Sequence, residues 1–304
     1  MVPVSGPTVG KRRLRAELRL LRQDRQLTQE QVATDMEWSL SKLIRIENGT
    51  VAISVSDLRS LLAFYAVHDQ QRVNTLLELA RAAKRRMWWD EYRSETPTSL
   101  LTYVGFESEA TEIGCFHPIV LPGLVQTEGY ARALLTGLAS DLDPKEIERR
   151  VEFRMRRQEE VFNREDPPRF LAVLDESVLY RQPDASERTM REQLAHLIEF
   201  AQRPYADVRV LPFNAGVHRG WDGNFTVMGF GGDDRVYYSQ NNPSGDVLLW
   251  EEHDVVDSFH RLLQQLAERA MGPEESLAFM QRRLNETGKE QDEAHQHQHH
   301  EHEH

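Results

Sequence analysis

The segment 27–49 constrains the fold more than any other part of this sequence, because it predicts two short helices joined by a tight turn. Thr28 begins a Thr-x-x-Gln capping box, which is a typical start for a helix over 29–36. Ser39 is placed to cap a second helix over 40–47, and an Asn-Gly pair follows as a helix stop. The pattern therefore predicts a second helix that lies across the first.

The second predicted helix has an apolar face for a core and a polar face for solvent. Leu43 and Ile46 are expected to pack against the core. The major groove of DNA is about 12 Å wide and admits an α-helix. We therefore expect the segment 39–47 to read base edges. Arg45 is the best candidate, since a guanidinium bonds O6 and N7 of guanine together. The candidate base contacts are Ser39, Leu40, Ser41, Lys42 and Arg45, and the candidate phosphate contacts are Gln29 and Asn48.

Charge is distributed unevenly along the chain. The net charge is −12 at pH 7, which taken alone disfavours a nucleic-acid partner. Residues 1–86 nevertheless hold fifteen Lys and Arg against nine Asp and Glu, a net charge of +6 that leaves −18 for the remainder. A basic block on an acidic chain is typical of a module that binds a polyanion, because local charge sets the attraction.

Residues 1–86 are predicted to form an N-terminal arm followed by an all-α, five-helix domain. Apolar residues recur at helical spacing in each segment. The helices are expected at 11–25, 29–36, 40–47, from Ser54 or Ser56 to about Tyr65, and 70–86. The residues alone leave one alternative to DNA binding, which is a helical bundle used for protein contact.

The block 11–80 resembles the XRE-type helix-turn-helix domains, which are lambda-repressor-like and Cro-like. The resemblance rests on LTQEQVA at 27–33 and SLSKLIRIENG at 39–49, whose spacing fits that family. It implies a DNA-binding regulator. The sequence departs from the family pattern at Glu37-Trp38, where a small residue is common in the turn. Trp38 either adds core packing or alters the approach to the groove.

The rest of the chain mixes predicted helices and strands, which indicates an α+β domain over 101–285 after a linker at 87–100. β-Branched and aromatic residues favour strands at 169–174, 207–211, 224–230, 235–239 and 246–250. Helices are expected at 101–113, 127–138, 143–162, 186–202, 252–270 and 273–286. The acidic, histidine-rich tail 286–304 has too few apolar residues to form a core and is predicted to be disordered.

Several motifs of the second domain are similar to those of one regulator family. They are FESEA at 106–110, LPGLVQTEGYAR at 121–132, the arginine-rich run 150–158, LDE at 174–176 and VLPFNAGVH at 210–218. They resemble the C-terminal domain of a large actinobacterial family that includes the WhiJ-like regulators of Streptomyces. The resemblance implies an antitoxin-like or developmental regulator, often working with a small partner protein of the BldB type.

Charged residues in these motifs allow two interpretations. They line a ligand pocket, or they form ion pairs on solvated helix faces. The set comprises Glu107, Glu109, Arg150, Arg154, Arg157, Asp175 and Glu176. Pro122-Gly123 is similarly either a ligand-contacting turn or a type II turn in which the glycine supplies a positive φ.

Catalytic and cofactor motifs are missing from the sequence, which has no fitted Ser/His/Asp set, Walker loop or GxGxxG. We therefore predict no enzymatic activity, no cofactor and no metal site. The histidines of 295–304 leave Ni²⁺ or Zn²⁺ binding open, against a disordered tail or a cloning tag. The single cysteine and the lack of a signal-peptide or membrane-span pattern favour a cytoplasmic protein that does not cross a membrane.

Two functions are consistent with these patterns. The first is a sequence-specific transcription regulator that binds double-stranded DNA as a homodimer, with a C-terminal domain that binds a small partner protein or an effector. The second is an antitoxin-like interaction module that sequesters a small toxin-like or BldB-type partner, with DNA binding serving autoregulation.

Overall fold

The computed structural model describes residues 6–138, 142–232, 234–239 and 246–301, with side chains described as far as Thr287. The chain divides into two compact units, Met1–Glu109 and Ala110–His304. The first unit is all-α and the second combines helices with a mixed sheet, which confirms the predicted fold classes.

Helices of the first unit surround a core of leucines. Leu18, Leu43, Leu58 and Leu77 are almost fully buried in it, as their helical spacing predicts. The elements are α1 (Pro7–Asp24), α2 (Gln29–Asp35), α3 (Leu40–Glu47), α4 (Val55–Phe64), α5 (Gln70–Ala82), a 3₁₀ turn (Trp88–Tyr92) and α6 (Thr98–Glu109). The five predicted helices are therefore present, and a sixth joins them.

Each of the helices α1 to α4 ends in the same backbone turn, known as the Schellman motif. The residue after the C-cap has a φ between +47° and +70°, and the next amide bonds back to a carbonyl in the last helical turn. One of these four residues, Gly49, is a glycine, and the others are Gln26, Glu37 and Ala66. Three left-handed positions are thus occupied by residues with a Cβ atom, which disfavours that conformation.

Replacing Ala66 with glycine is expected to raise the free energy of unfolding by roughly 0.5–1 kcal/mol, because relief of the left-handed strain exceeds the added backbone entropy. Ala63, exposed in the last turn of α4 with a helical backbone, provides the control. Ala63→Gly is expected to lower stability by up to about 1 kcal/mol. Urea unfolding of both variants measures the difference, and equal effects would show that the turn carries no strain.

Helix α6 lies in the first unit, although the sequence pattern placed a helix over 101–113 in the second domain. The Glu109 carboxylate accepts hydrogen bonds from the amides of Thr8 (2.6 Å) and Val9 (2.9 Å), so an acidic side chain satisfies the first turn of α1. The predicted linker 87–100 contains the 3₁₀ turn, in which Trp89 and Tyr92 are buried. This segment is therefore packed into the helical unit.

The second unit is built on a sheet with strand order β3-β2-β1-β4-β5-β6. Strands β1, β2 and β3 run parallel, and β4, β5 and β6 follow in antiparallel pairs. The elements are β1 (Glu112–His117), α7 (Glu128–Leu138), α8 (Pro144–Phe162), β2 (Arg169–Asp175), α9 (Glu187–Phe200), β3 (Ala206–Leu211), β4 (Phe225–Gly229), β5 (Arg235–Ser239), β6 (Val247–Leu249), α10 (His253–Arg269) and α11 (Pro273–Glu301).

Helices cover both faces of this sheet. On one face, Leu263 of α10 packs with Phe116 and Val227. On the other, Phe162 of α8 and Phe200 of α9 contact Phe170 edge-on, with ring centroids 5.5 Å apart in each case. The strands between them are therefore buried on two sides.

Strand β1 is the element that the sequence pattern failed to predict, since part of it was assigned to the helix 101–113. Gly114 interrupts a short apolar run, which weakens a strand prediction. The structure explains the glycine, because a Cβ atom there would lie 2.4 Å from Cδ2 of Leu263. The central strand therefore carries a glycine where α10 approaches the sheet.

Two further expectations differ from the structure. The tail 286–304, predicted to be disordered, continues α11 as far as Glu301, since the polar residues that precede the histidines favour helix extension. Residues 302–304 lie outside the described part of the chain.

Gly123 does not have the positive φ of a type II turn, and it begins a 3₁₀ turn instead.

Candidate nucleic-acid interface

Helix α3 is short and capped at both ends. Ser39 has an extended backbone, and its hydroxyl accepts a hydrogen bond from the Lys42 amide at 3.2 Å. Asn48 closes the helix and Gly49 follows in the left-handed conformation. Its eight residues make a rod about 12 Å long. An α-helix with its side chains is about 10–12 Å across, which fits a major groove about 12 Å wide.

The outward face of α3 consists of Ser41, Arg45 and Asn48. Steps of four and three residues place these exposed side chains on one side of the helix. Leu40, also exposed, lies at the edge of this face. Nε of Arg45 donates to the Ser41 carbonyl at 3.3 Å, which orients the guanidinium along the helix surface. Four predicted contact residues therefore share an accessible surface.

Lys42 is held at the side of α3. Its ammonium lies 3.1 Å from Oδ2 of Asp57 and 4.0 Å above the ring centre of Trp38. Trp38 in turn packs against the core of the first unit, so this residue adds core packing in the turn. A DNA contact by Lys42 stays a prediction that requires exchange of its ion pair with Asp57.

Glu47 is the most buried charged residue of α3, at 1% exposure. Arg22 binds its carboxylate through two hydrogen bonds, from Nε at 2.7 Å and from Nη2 at 3.1 Å. Nε2 of Gln29 donates to Oε2 of the same carboxylate at 2.7 Å. Glu47 thereby joins α1, α2 and α3, and the Gln29 amide is engaged inside the unit. A phosphate contact by Gln29 stays a prediction.

Arginines of α1 also bind the C-terminal end of α3. Nε of Arg15 donates to the Glu47 carbonyl at 3.1 Å, and Nη2 of Arg19 donates to Oδ1 of Asn48 at 3.0 Å. Cations at a helix C-terminus satisfy its last carbonyls and oppose its negative partial charge. Part of the basic charge in 1–86 therefore positions α3, and Asn48 is oriented by Arg19.

The buried pair of Arg22 and Glu47 was missed at the sequence level, where arginines were counted as surface charge. A signal was present in the spacing. Glu47 follows Leu43 by four residues, and Arg22 follows Leu18 by four, so both sit on core-facing sides of their helices. A charged residue at such a position predicts a buried partner of opposite charge.

Comparison with known families identifies both units. A model described as a helix-turn-helix domain matches residues 13–76, which include α2 and α3. A second model, described as a domain of unknown function (DUF5753), matches residues 100–282, more than half of the chain. The chain belongs to the DUF5753 family. The helix-turn-helix match supports a DNA-binding regulator.

Searches of curated proteins and of solved structures give no match to this DUF5753 chain. In the part of the chain that the structure describes, no helix combines the length and apolar character needed to cross a bilayer.

Three acidic residues of the charged set from the DUF5753 motifs accept hydrogen bonds from backbone amides. Glu109 caps α1 in the first unit, as described above. Asp175 accepts the Ser177 amide at 3.0 Å, and Glu176 accepts the Phe213 amide at 2.9 Å, so both organise loops of the second unit. Nη1 of Arg154 donates to Oε1 of the buried Gln126 at 2.6 Å.

Proposed function

We propose that this chain is a sequence-specific transcription regulator that binds double-stranded DNA as a homodimer, with α3 in the major groove. The observation that carries the proposal is the exposed face of α3, on which Ser41, Arg45 and Asn48 stand beside Leu40. The guanidinium of Arg45 can bond guanine, and the hydroxyl of Ser41 and the amide of Asn48 can bond base edges or phosphate. Leu40 can make an apolar contact with the methyl group of thymine. In this proposal Ser39 and Lys42 flank the same groove.

Rigid support of α3 favours this function. The Arg22–Glu47 pair and the arginine contacts at Asn48 fix the helix before DNA arrives, so little conformational entropy is lost on binding. A dimer of such units would read a near-palindrome with half-sites about 10–10.5 base pairs apart. A cytoplasmic location and the absence of catalysis belong to this proposal as expectations.

Genome-wide mapping of DNA occupied by the full chain tests the proposal directly. We expect discrete sites that share a two-fold-symmetric sequence. A full-length variant with Ser41 and Arg45 both changed to alanine provides the matched control and is expected to lose those sites. Occupancy that is uniform along the genome, or that is equal in the control, would contradict sequence-specific binding.

Affinity for the recovered operator is expected to fall linearly with salt on a double-logarithmic plot, with a slope of about −0.9 per phosphate neutralised. Lys and Arg of the basic unit release counterions from the duplex, which is the physical origin of this slope. Fluorescence anisotropy of a labelled duplex measures it. A slope near zero would mean that the basic unit does not contact the phosphate backbone.

A second candidate function is the antitoxin-like module that binds a small partner protein of the BldB type. It is supported by apolar side chains on the loop after β3, where Phe213, Val217 and Trp221 are 65%, 76% and 63% exposed. Large apolar side chains exposed together often mark protein contact surfaces.

This second function predicts that Trp221→Asp weakens the binding of a purified BldB-type protein by about ten-fold or more, since exposed aromatic residues dominate such interfaces. Leu138, 73% exposed on α7, gives the matched control. The affinity of Leu138→Asp for the same protein, measured by isothermal titration calorimetry, is expected to equal that of the unmodified chain. Equal affinities of the unmodified chain, Trp221→Asp and Leu138→Asp would show that the loop is not part of the interface.

A further inference from the structure

A groove lies on the face of the sheet that α10 covers, at the edge where the parallel strands begin. Glu112 and Arg169 are the first residues of β1 and β2, and both line this groove together with Leu263 of α10. Its volume is about 500 Å³, and small-molecule sites typically measure about 300–1,000 Å³. All of its lining residues belong to the second unit. The groove is therefore large enough for a small ligand.

The floor of the groove is apolar. Leu171 of β2 and Val227 of β4 line it, and both pack with the core beneath α10. Val227 is 4% exposed, whereas Leu171 is only partly buried although β2 is an interior strand of the sheet. Helix α10 thus leaves part of the sheet face open, and a ligand that covered Leu171 would remove its apolar surface from water.

Gly229 leaves further open space over this floor. It lies two residues beyond Val227 in β4, so it faces the same side of the sheet. Gly114 is explained by Leu263, as described above, but a Cβ atom at Gly229 would make an ordinary contact with Cβ of Glu112 at 3.5 Å. Packing against the described residues therefore does not require a glycine here. A glycine in a strand often marks a place where a ligand approaches closely.

The charged side chains that line the groove are already paired. Four of them line it, two acidic and two basic, and each has a partner of opposite charge. The pairs are Glu112–Arg169, Asp207–Arg209 (2.8 Å) and Arg235–Asp257 (3.6 Å). A charged ligand would lose its hydration here without meeting an unpaired counter-charge. The groove therefore favours an uncharged ligand.

Two uncharged hydrogen-bonding side chains of α10, His260 and Gln264, also line the groove. Nε2 of Gln264 lies 3.1 Å from Nε2 of His260, so the amide N–H donates to the ring nitrogen. Burial, and then the charge of Arg235, lower the pKa of His260, so the ring is predominantly neutral at pH 7. The amide of Gln264 also has a carbonyl oxygen, which accepts a hydrogen bond from an N–H or O–H of a ligand.

We propose that this groove binds an uncharged amphipathic small molecule, whose apolar body lies on Leu171 and Gly229 and whose donor group bonds Gln264. Small-molecule sites combine a largely apolar lining with a few polar groups that fix orientation. The inference goes beyond DNA binding and does not depend on it, because the groove belongs to the second unit alone.

Fluorescence titration of the full chain at pH 7 tests this site with two probes that share one aromatic body. N-Phenyl-1-naphthylamine is uncharged and carries an N–H donor, and 8-anilinonaphthalene-1-sulfonate adds a negative charge to the same rings. The uncharged probe is expected to bind saturably. The sulfonate is expected to bind about ten-fold more weakly or worse, because its charge meets no unpaired cation in the groove.

Two variants, each with a matched control, locate the bound probe. Gly229→Leu fills the groove and is expected to weaken binding of the uncharged probe about ten-fold or more. Gly272→Leu adds the same side chain between α10 and α11, where a Cβ atom meets nothing within 4 Å, and is expected to leave the affinity unchanged. Gln264→Ala is expected to weaken binding about three-fold or more by removing a hydrogen bond. Gln265→Ala, at the next exposed position of α10, is its control.

A thermal melt checks the fold of each variant. If Gly229→Leu unfolds, Gln264→Ala decides the outcome, since its side chain is exposed and its loss keeps the fold. The proposal is overturned if the uncharged probe does not bind saturably, or if the sulfonate binds more tightly than the uncharged probe. It is also overturned if the folded groove variants bind the uncharged probe as tightly as their controls.

Discussion

Replacing Glu47 with alanine is expected to lower the free energy of unfolding of the first unit by about 3–5 kcal/mol, the usual cost of leaving a buried charge without its partner. The side chains of Arg22 and Glu47 are 14% and 2% exposed, so little water reaches the guanidinium that remains. A domain is stable by about 5–15 kcal/mol, and this loss would consume a large part of that margin. Hydrogen exchange of amides within 6–109 measures it in the full chain.

The Arg72–Glu17 pair is a matched control for this variant. Its atoms approach to the same 2.7 Å, but its side chains are 46% and 36% exposed. Glu17→Ala is therefore expected to cost at most about 1 kcal/mol, because solvent screens surface pairs. The double variant with Arg22→Ala and Glu47→Ala is expected to cost less than the sum of its parts, since it leaves neither charge unpaired. Equal effects of Glu47→Ala and Glu17→Ala would refute the buried-pair argument.

Replacing Arg45 with alanine is expected to weaken binding to the true operator by about 1–3 kcal/mol and to relax specificity at one base pair. Arg45 is exposed on the outward face of α3 and bonds only its own helix through Ser41 in the described residues. Its removal therefore leaves the fold intact while deleting a bidentate donor. Anisotropy titrations against the operator and its single-base variants measure both effects.

Arg81 gives the control for charge alone. It is exposed near the end of α5, so Arg81→Ala removes one positive charge from a helix other than α3. We expect it to shift affinity similarly for every sequence, with the base preference unchanged. If Arg45→Ala leaves the base preference unchanged as well, the assignment of Arg45 to base reading is wrong.

The helices of the first unit could be predicted because their local signals agree with their tertiary roles. Thr28 forms the predicted capping box with Gln31, and Ser39 caps α3 with the expected hydrogen bond. Leu43 and Ile46 are buried as their spacing requires. Each of these features depends on residues within one or two helical turns, which a sequence displays directly.

The features that escaped prediction depend on distant partners. Gly114 belongs in a strand only because Leu263, about 150 residues away, occupies the space above it. The role of Arg22 is set by Glu47 and Gln29 on other helices. The outward residues of α3 could be named from spacing, but the ion pair of Lys42 with Asp57 could not. The structural roles of these residues depend on long-range packing, which the spacing of apolar residues along the sequence does not reveal.

The carboxylate of Glu109 at the start of α1 sets a practical limit on how this protein is shortened. A fragment that stops at residue 86, after the last predicted helix of the DNA-binding domain, would lack α6 and expose the amides of Thr8 and Val9. Such a fragment would begin with a frayed first helix, and Arg15 and Arg19 on that helix orient the end of α3. Cutting instead after Glu109 keeps the cap of α1 and the contacts of α1 with the end of α3.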